Sequence, residues 1–148
     1  MGIRDATVHD LDRLIEIGLE MQSESSYRYL TYDPDRVRSF LSGLIGTQYV
    51  RVYEKDGRVV AVMVGVATPA WFSEDMMATD LALFVDKKHR GSMTAIRLIR
   101  DFLRWAKDRG VKQIRPGVST GAVGSAGSRL YEAMGFEAVG TTYVLNVR

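Results

Sequence analysis

The sequence predicts a single domain of the α/β (α+β) class, in which helices cover a central mixed sheet. Its 148 residues, 46% of them hydrophobic, are enough for one compact core and too few for two. The predicted elements follow the order strand, two helices, three strands, helix, strand, helix and two strands. This order combines an antiparallel meander with a crossover connection, so we treat residues 1–148 as one domain.

The first half of the chain is divided by capping and turn signals. Thr7 opens a capping box, Asp33 and Pro34 form an N-cap with a first-turn proline, and Asp56-Gly57 is a strong hairpin signal. The spacing of apolar residues around these signals completes each element. The expected elements are a strand at 3–6, a helix from 7 to about 23, a helix from 33 to 44 and strands at 49–54 and 58–68.

The second half contains the longest predicted helix, which Gly110 ends as a C-cap. Pro116 falls within a later strand, and because proline cannot donate to a ladder, that strand should have an unpaired edge over part of its length. Gly135 ends the last helix in a left-handed cap. The expected elements are a strand at 80–86, helices at 93–109 and 125–134, and strands at 112–118, 136–139 and 143–147.

Composition excludes several kinds of chemistry. The chain has no cysteine, so disulfides, thiolate zinc sites and a cysteine nucleophile are excluded. Its two histidines, His9 and His89, do not by themselves form a usual metal site, and we expect no metal. The 20 basic and 18 acidic side chains leave a formal charge of +2, a weak argument for a nucleic acid or another polyanionic partner.

From these residues we expect neither a targeting nor a membrane-spanning segment. Residues 1–10 have no apolar core of the signal-peptide type, and no apolar run approaches the roughly 20 residues that span a bilayer. We therefore expect a cytoplasmic protein without membrane contact. The sequence does not decide whether the protein forms a homodimer.

The loop before the longest helix is the first candidate site. A tight turn into a helix directs unpaired backbone N–H groups and the positive helix end at one point, which suits a phosphate. Gly91, Ser92, Thr94 and Ala95 are small enough for a ligand to approach the backbone, and Arg90 can add a charge-assisted hydrogen bond. The alternative interpretation is a solvated basic turn.

Two runs, Arg90-Gly91-Ser92-Met93-Thr94-Ala95 and Leu130-Tyr131-Glu132-Ala133-Met134-Gly135-Phe136, resemble the GNAT superfamily of N-acetyltransferases. The family signature is Arg or Gln, two residues, Gly, one residue, then Gly or Ala; a Leu-Tyr-Glu-x-x-Gly-Phe helix end follows later. Here Met93 replaces the first glycine of the signature. The resemblance implies a GNAT fold: a central mixed, mostly antiparallel sheet with splayed middle strands, flanked by about four helices.

The resemblance also implies acetyl-CoA as co-substrate. The signature loop would hold its pyrophosphate, the strand at 80–86 would form a ladder with the pantetheine arm, and the thioester would enter a gap beside the strand at 112–118. A family asparagine falls at Gly124, where Ser125 or Ser128 is a substitute. The implied cofactor-binding residues are Leu83, Phe84, Val85, Arg90, Gly91, Ser92, Met93, Thr94, Ala95 and Ser128.

Acetyl transfer needs a neutral amine, a donor to the oxygen that gains charge and a proton for the departing thiolate. A backbone N–H of the 83–85 strand is the candidate donor. Tyr131 matches the family's general acid; because a tyrosine pKa near 10 exceeds a thiol pKa near 8.5, orienting the sulfur is an open alternative, as is a core-anchoring role. Asp80 is the candidate base, while Glu74 and Asp75 fit solvated loop charges better.

Glu24, Tyr27 and Tyr29 are the candidate acceptor-binding residues. They lie between the first two helices, a region that overhangs the acceptor in similar proteins, and a carboxylate with aromatics suits a cationic amine. Exposed polar loop residues are the alternative interpretation.

Three functions follow from these patterns. The first is transfer of acetyl from acetyl-CoA to a primary amine of a small molecule or peptide, by direct attack in a ternary complex. The second, motivated by Met93 and Gly124, is a GNAT-like CoA-binding module with little catalysis. The third, nucleic-acid binding through Lys87, Lys88 and Arg90, is disfavoured because no aromatic residue is interleaved in that run.

Overall fold

A computed structural model describes residues 2–117 and 124–147, with only the backbone described at 124–128. It contains a five-stranded sheet with the strands in sequential order. The strands are β1 (Gly2–Asp5), β2 (Tyr49–Lys55), β3 (Arg58–Pro69), β4 (Met76–Val85) and β5 (Gln113–Ile114). The helices are α1 (Leu11–Glu24), α2 (Pro34–Leu44), α3 (Thr94–Asp108) and α4 (Gly124–Ala133). Short 3-10 turns occupy Val8–Asp10, Ser26–Tyr29 and Lys87–His89.

The predicted caps set the ends of the helices. Thr7 forms the predicted capping box with Asp10, and Asp33 accepts hydrogen bonds from two N–H groups in the first turn of α2. Gly110 and Gly135 follow α3 and α4 with φ of 74° and 94°, in the left-handed region that a residue without Cβ adopts freely. The two caps and both glycine stops are confirmed.

The sheet is mixed and mostly antiparallel, as predicted. The pairs β1–β2, β2–β3 and β3–β4 are antiparallel, and β4–β5 is parallel. The Asp56-Gly57 hairpin has positive φ at both residues, as expected for a tight turn between twisted strands. In β4 the register shifts between Ala82 and Asp80, which leaves Leu81 as the extra residue of a bulge.

The two faces of the sheet bury separate apolar clusters. One face packs against α1 and α2 through Leu14, Ile17 and Leu41, together with Val62 and Phe84. The other face packs against α3, where the buried members include Tyr49, Met63, Ala78, Ile99 and Phe102, and the side chains of Leu130 and Tyr131 pack from α4. The central strands are therefore covered on both sides, and β4 lies between both helix layers.

The parallel ladder between β4 and β5 is very short, and this opens the sheet. Only Met77 and Ala78 pair with β5, and the last ladder bond runs from Arg115 N to the Ala78 oxygen at 2.8 Å. Beyond it, side chains replace the ladder: Thr79 Oγ1 donates to the Arg115 oxygen, and Gly117 N donates to Asp80 Oδ1, each at 2.8 Å. The strands thus splay at Asp80, as the resemblance implied.

Four predicted strands differ from the structure, two in their boundaries and two in their existence. β4 begins four residues before 80, because its first residues pair with the end of β3. The strand predicted at 112–118 is reduced to β5, because the chain diverges from β4 before Pro116; Val118 lies outside the described residues. None of the described residues after α4 forms a strand, so the strands expected at 136–139 and 143–147 are also wrong.

The C-terminal error has a physical cause. Val139, Tyr143, Leu145 and Val147 have the residue types of a strand, yet each is 72–91% exposed. Strand preference depends on packing against neighbours, and these side chains lie on no apolar face in the described part of the chain.

None of the helices within the described ranges, 2–117 and 124–147, combines the length and apolarity that crossing a bilayer requires.

Candidate functional site

The loop between β4 and α3 presents free backbone donors at the start of a helix. The first intrahelical bond of α3 runs from Arg97 N to the Met93 oxygen at 2.9 Å, so the N–H groups of Ala95 and Ile96 have no intrahelical partner. Gly91 takes a positive φ of 84°, and a Cβ added there would meet nothing within 4 Å. The loop therefore leaves both donors and space for an anion, in agreement with the sequence prediction.

Internal hydrogen bonds hold this loop in shape. Ser92 Oγ donates to the His89 oxygen at 2.6 Å and lies 2.9 Å from Thr94 Oγ1. Asp86 accepts from Lys88 N at 3.2 Å and caps the 3-10 turn that precedes the loop. Met93 is the residue before α3 and is 48% exposed.

A basic groove of about 650 Å³ borders the loop. Three of its residues, Tyr53, Lys55 and Arg97, were not predicted from the sequence. The strand order could have predicted them. Because β2–β3 and β3–β4 are both antiparallel, β2 and β4 run in the same direction, and their C-terminal ends lie at the same end of the sheet. The lining residues are Tyr53, Lys55, Lys88, His89, Arg90, Gly91, Ser92, Met93, Thr94 and Arg97.

The edge of β4 that faces the gap continues from this loop. In an antiparallel ladder alternate residues bond to the partner strand, and Asp86 N bonds to the Val60 oxygen at 2.8 Å. Phe84, paired with Val62, therefore also directs its backbone toward β3, while Leu83 and Val85 direct theirs away from it. The open backbone groups are therefore those of Leu83 and Val85, and the cofactor contact expected of Phe84 stays a prediction.

Arg90 takes an orientation that the sequence did not reveal. Its Nε donates to the Val85 oxygen at 2.8 Å, and its guanidinium carbon lies 4.9 Å from the centroid of the Phe84 ring. Its Nη1 lies 3.1 Å from Glu24 Oε1, which brings the end of α1 to the predicted phosphate loop. The side chain thus follows the open edge of β4.

Asp80 and Tyr131 come together at the point where the sheet splays. Burial is the main cause that raises the pKa of Asp80, opposed by the hydrogen bond from Gly117 N. Burial also raises the pKa of Tyr131, and the negative charge of Asp80 adds to this effect. Tyr131 packs edge-on against Phe136, with ring centroids 5.5 Å apart. The two side chains are therefore close enough to interact electrostatically, and the phenol stays protonated at neutral pH.

The acceptor candidates lie at the end of α1 and in the turn that follows. The Glu24 side chain is only 24% exposed and also has Lys87 Nζ at 3.9 Å. Tyr27 and Tyr29 are 47% and 64% exposed, and the guanidinium of Arg28 lies 4.7 Å from the centroid of the Tyr29 ring. Glu24 is thus near the cofactor loop, while one face of Tyr29 is already covered by a cation.

Two predicted contacts stay open. The Ser128 side chain, like that of Ser125, lies outside the described residues, so its cofactor contact stays a prediction.

Within the described ranges 2–117 and 124–147, no group of three or more His, Cys, Asp or Glu residues lies together in a way that could hold a metal. The absence of a metal remains a prediction.

A sheet that splits beside a helix N-terminus with free donors is the architecture of the GNAT fold. A family model described as an acetyltransferase (GNAT) domain matches residues 46–138, more than half of the chain. The chain therefore belongs to the GNAT acetyltransferase family. A search of curated proteins gave no match to the sequence.

Solved structures share this fold over nearly the whole chain. A transcriptional regulator from Bacillus halodurans C-125 is 19% identical, with a TM-score of 0.79 and 98% of each chain covered. A predicted acetyltransferase with acetyl-CoA from Clostridium acetobutylicum is 15% identical, with a TM-score of 0.79, covering 97% of this chain and 94% of its own. A ribosomal-protein-alanine N-acetyltransferase from Brucella melitensis biovar Abortus 2308 is 17% identical, with a TM-score of 0.71, covering 99% and 98%. At these identities the likeness concerns the fold alone.

Proposed function

We propose that this protein transfers an acetyl group from acetyl-CoA to a primary amine of a small molecule or peptide, by direct attack in a ternary complex. The observation that carries this proposal is the continuous open edge of β4. It joins the anion-binding loop at one end to Asp80 and Tyr131 at the other. The chain has no cysteine to form an acyl-enzyme, which supports direct attack.

The residues present fit coenzyme A along this edge. The loop from Arg90 to Ala95 would hold the pyrophosphate through the free N–H groups at the start of α3. The backbone groups of Leu83 and Val85 would extend the sheet to the pantetheine arm. Acetyl-CoA, when bound, supplies an activated thioester. A free backbone N–H of residues 83–85 in β4 is the candidate donor to the acetyl oxygen as that oxygen gains negative charge.

Tyr131 would act on the thiol through a hydrogen bond. Because burial raises its pKa above the ordinary value near 10, the phenol stays protonated at neutral pH and is a weaker acid than a free tyrosine. Its hydroxyl can therefore donate a hydrogen bond to the sulfur as negative charge develops there, and giving up the proton completely is less favourable. This supports the sulfur-orienting role over full proton transfer.

Asp80 would take the proton from the incoming ammonium. Its carboxylate stands at the splay point, where Gly117 N donates to Oδ1 at 2.8 Å. A raised pKa makes this carboxylate a stronger base than an exposed aspartate. Glu24, Tyr27 and Tyr29 would border the acceptor on the α1 side of the gap.

We expect Asp80→Asn to lower kcat/KM at least tenfold at neutral pH and to change the shape of the pH profile. Protonation of Asp80 removes the base, so the wild-type rate falls as pH drops through the pKa of Asp80. Because this pKa is raised, the fall begins at higher pH than an ordinary aspartate would give. Steady-state rates from pH 5 to 9 test this, with Asp75→Asn in the β3–β4 loop as the matched control. An unchanged profile in Asp80→Asn would remove Asp80 from the mechanism.

Arg90→Ala is expected to raise the Kd for coenzyme A about tenfold, since one hydrogen bond to a charged group contributes roughly 1.5 kcal/mol. Isothermal titration calorimetry measures this directly. Arg100→Ala is the matched control, because it removes the same charge from an exposed position on α3. Equal affinity of Arg90→Ala and wild type would contradict the phosphate assignment.

Two measurements test the proposed function. Acetyl-CoA should bind saturably and stabilise the protein thermally, and thiol release should then depend on an added amine across a panel of amines and peptides. Failure to bind acetyl-CoA would sink the proposal. Binding without thiol release for any amine would favour the second candidate, a CoA-binding module with little catalysis, for which Met93 in the signature loop is the specific observation.

A further inference from the structure

Arg90 occupies a position that the cofactor itself would need. The Val85 carbonyl belongs to the free edge of β4, where the pantetheine arm is proposed to form its ladder. Arg90 Nε already donates to this carbonyl at 2.8 Å, and the guanidinium lies against the Phe84 ring. A ligand that takes over this hydrogen bond on the Val85 carbonyl must therefore displace the Arg90 side chain.

Glu24 fixes Arg90 in this position from another element. Glu24 is the last residue of α1, and its Oε1 lies 3.1 Å from Arg90 Nη1. Its carboxylate is three-quarters buried, so the ion pair is screened less than an exposed one. The pair joins residues 66 positions apart in the sequence and links the end of α1 to the loop after β4.

The geometry of this pair suits a contact that opens. Among the described residues the two groups form an ion pair without a well-aligned hydrogen bond, and the buried Glu24 Oε2 has no hydrogen-bond partner within the described chain, with Lys87 Nζ no closer than 3.9 Å. By contrast, Arg4 donates two hydrogen bonds of 2.8 and 2.9 Å to the two carboxylate oxygens of Asp10. This bidentate geometry is typical of a strong ion pair. An incompletely satisfied pair is less costly to break than a bidentate one.

We propose that Glu24 and Arg90 form a latch over the cofactor path. In the free protein, Glu24 holds Arg90 on the Val85 carbonyl; coenzyme A binds by taking Arg90 from Glu24, pairing it with a phosphate and using the vacated carbonyl. The latch rests on the proposed function, since it requires coenzyme A to occupy the β4 edge. Glu24 is then a positioning residue that sets cofactor affinity.

The test is a double-mutant cycle with coenzyme A as the titrant, measured by calorimetry on the full chain. Glu24→Gln keeps the shape of the side chain and removes its charge, so it should lower the Kd about fivefold, the upper range for a partly exposed ion pair. In an Arg90→Ala background the same change should leave the Kd unaltered, because the latch is already gone. Thermal melts of all four proteins establish that each is folded.

Glu20→Gln is the matched control. It lies one turn earlier on α1, changes the net charge equally and makes no ion pair within residues 2–117 and 124–147, so its Kd should equal that of wild type. An unchanged or higher Kd in Glu24→Gln overturns the latch while leaving the proposed function in place. The same holds if Glu20→Gln, or Glu24→Gln in the Arg90→Ala background, tightens binding equally. A wild-type protein that does not bind coenzyme A overturns both proposals.

Discussion

The Tyr131→Phe variant is expected to turn over about 100-fold more slowly than the wild type while binding acetyl-CoA with the same affinity. The substitution removes a single hydroxyl and keeps the ring. The edge-on packing against Phe136 and the burial of the ring in the α3-side cluster should therefore persist. What is lost is the protonated phenol that interacts with Asp80 at the splay point.

The size of this effect separates the chemical role of Tyr131 from a structural one. A hydrogen bond that strengthens as charge develops on sulfur acts in the transition state, so its loss lowers kcat and leaves Kd unchanged. A tyrosine that only anchors α4 would change stability and leave kcat nearly intact. Rates of thiol release and calorimetric affinities, measured over a range of pH, distinguish these outcomes.

Tyr143→Phe provides the matched control for this experiment. It removes the same hydroxyl from a side chain that is 88% exposed, and we expect wild-type turnover. Turnover by Tyr131→Phe that equals the wild-type value at every pH would remove Tyr131 from the mechanism.

The Gly65→Ala variant is expected to be about 3 kcal/mol less stable than the wild type, at the upper end of the usual cost of overpacking. A Cβ at this position would lie 2.4 Å from Phe102 Cε1 and 3.1 Å from the Thr79 oxygen. Phe102 cannot move away easily, since its ring is fully buried and packs between Tyr49 and Trp105.

This position also affects the site. Gly65 pairs with Asp80 at the register shift of β3 and β4, so a displaced backbone there would move the splay point. Urea unfolding measures the loss of stability. Gly43→Ala is the control: nothing lies within 4 Å of the added Cβ, and alanine in a helix should raise stability by up to about 1 kcal/mol. A loss below about 1 kcal/mol in Gly65→Ala would show that the core relaxes around the methyl group.

Local signals predicted most of the fold because they act over a few residues. The Thr7 and Asp33 caps, the Asp56-Gly57 turn and the stops at Gly110 and Gly135 all lie where the sequence placed them. The extent of strand pairing could not be predicted in the same way. β5 and the C-terminal residues depend on which backbone groups meet a partner, and that is decided by tertiary contacts.

In the candidate site, too, the features with local sequence signals were predictable, and those that depend on tertiary contacts were not. The free donors before α3 follow from a loop and a helix start that are adjacent in sequence, so they were predictable. The link from Glu24 to Arg90 joins α1 to the loop after β4 and has no local signal. The direction of the Phe84 backbone likewise has no local signal, because it depends on the register with Val62.

The central claim is that coenzyme A lies along the free edge of β4, and a crystal structure of the protein with coenzyme A tests it most directly. We expect the pyrophosphate at the N–H groups of residues 91–95, the pantetheine arm on Leu83 and Val85, and the thiol beside Tyr131. Coenzyme A bound without contact to β4, or with its thiol away from Tyr131 and Asp80, would contradict the account.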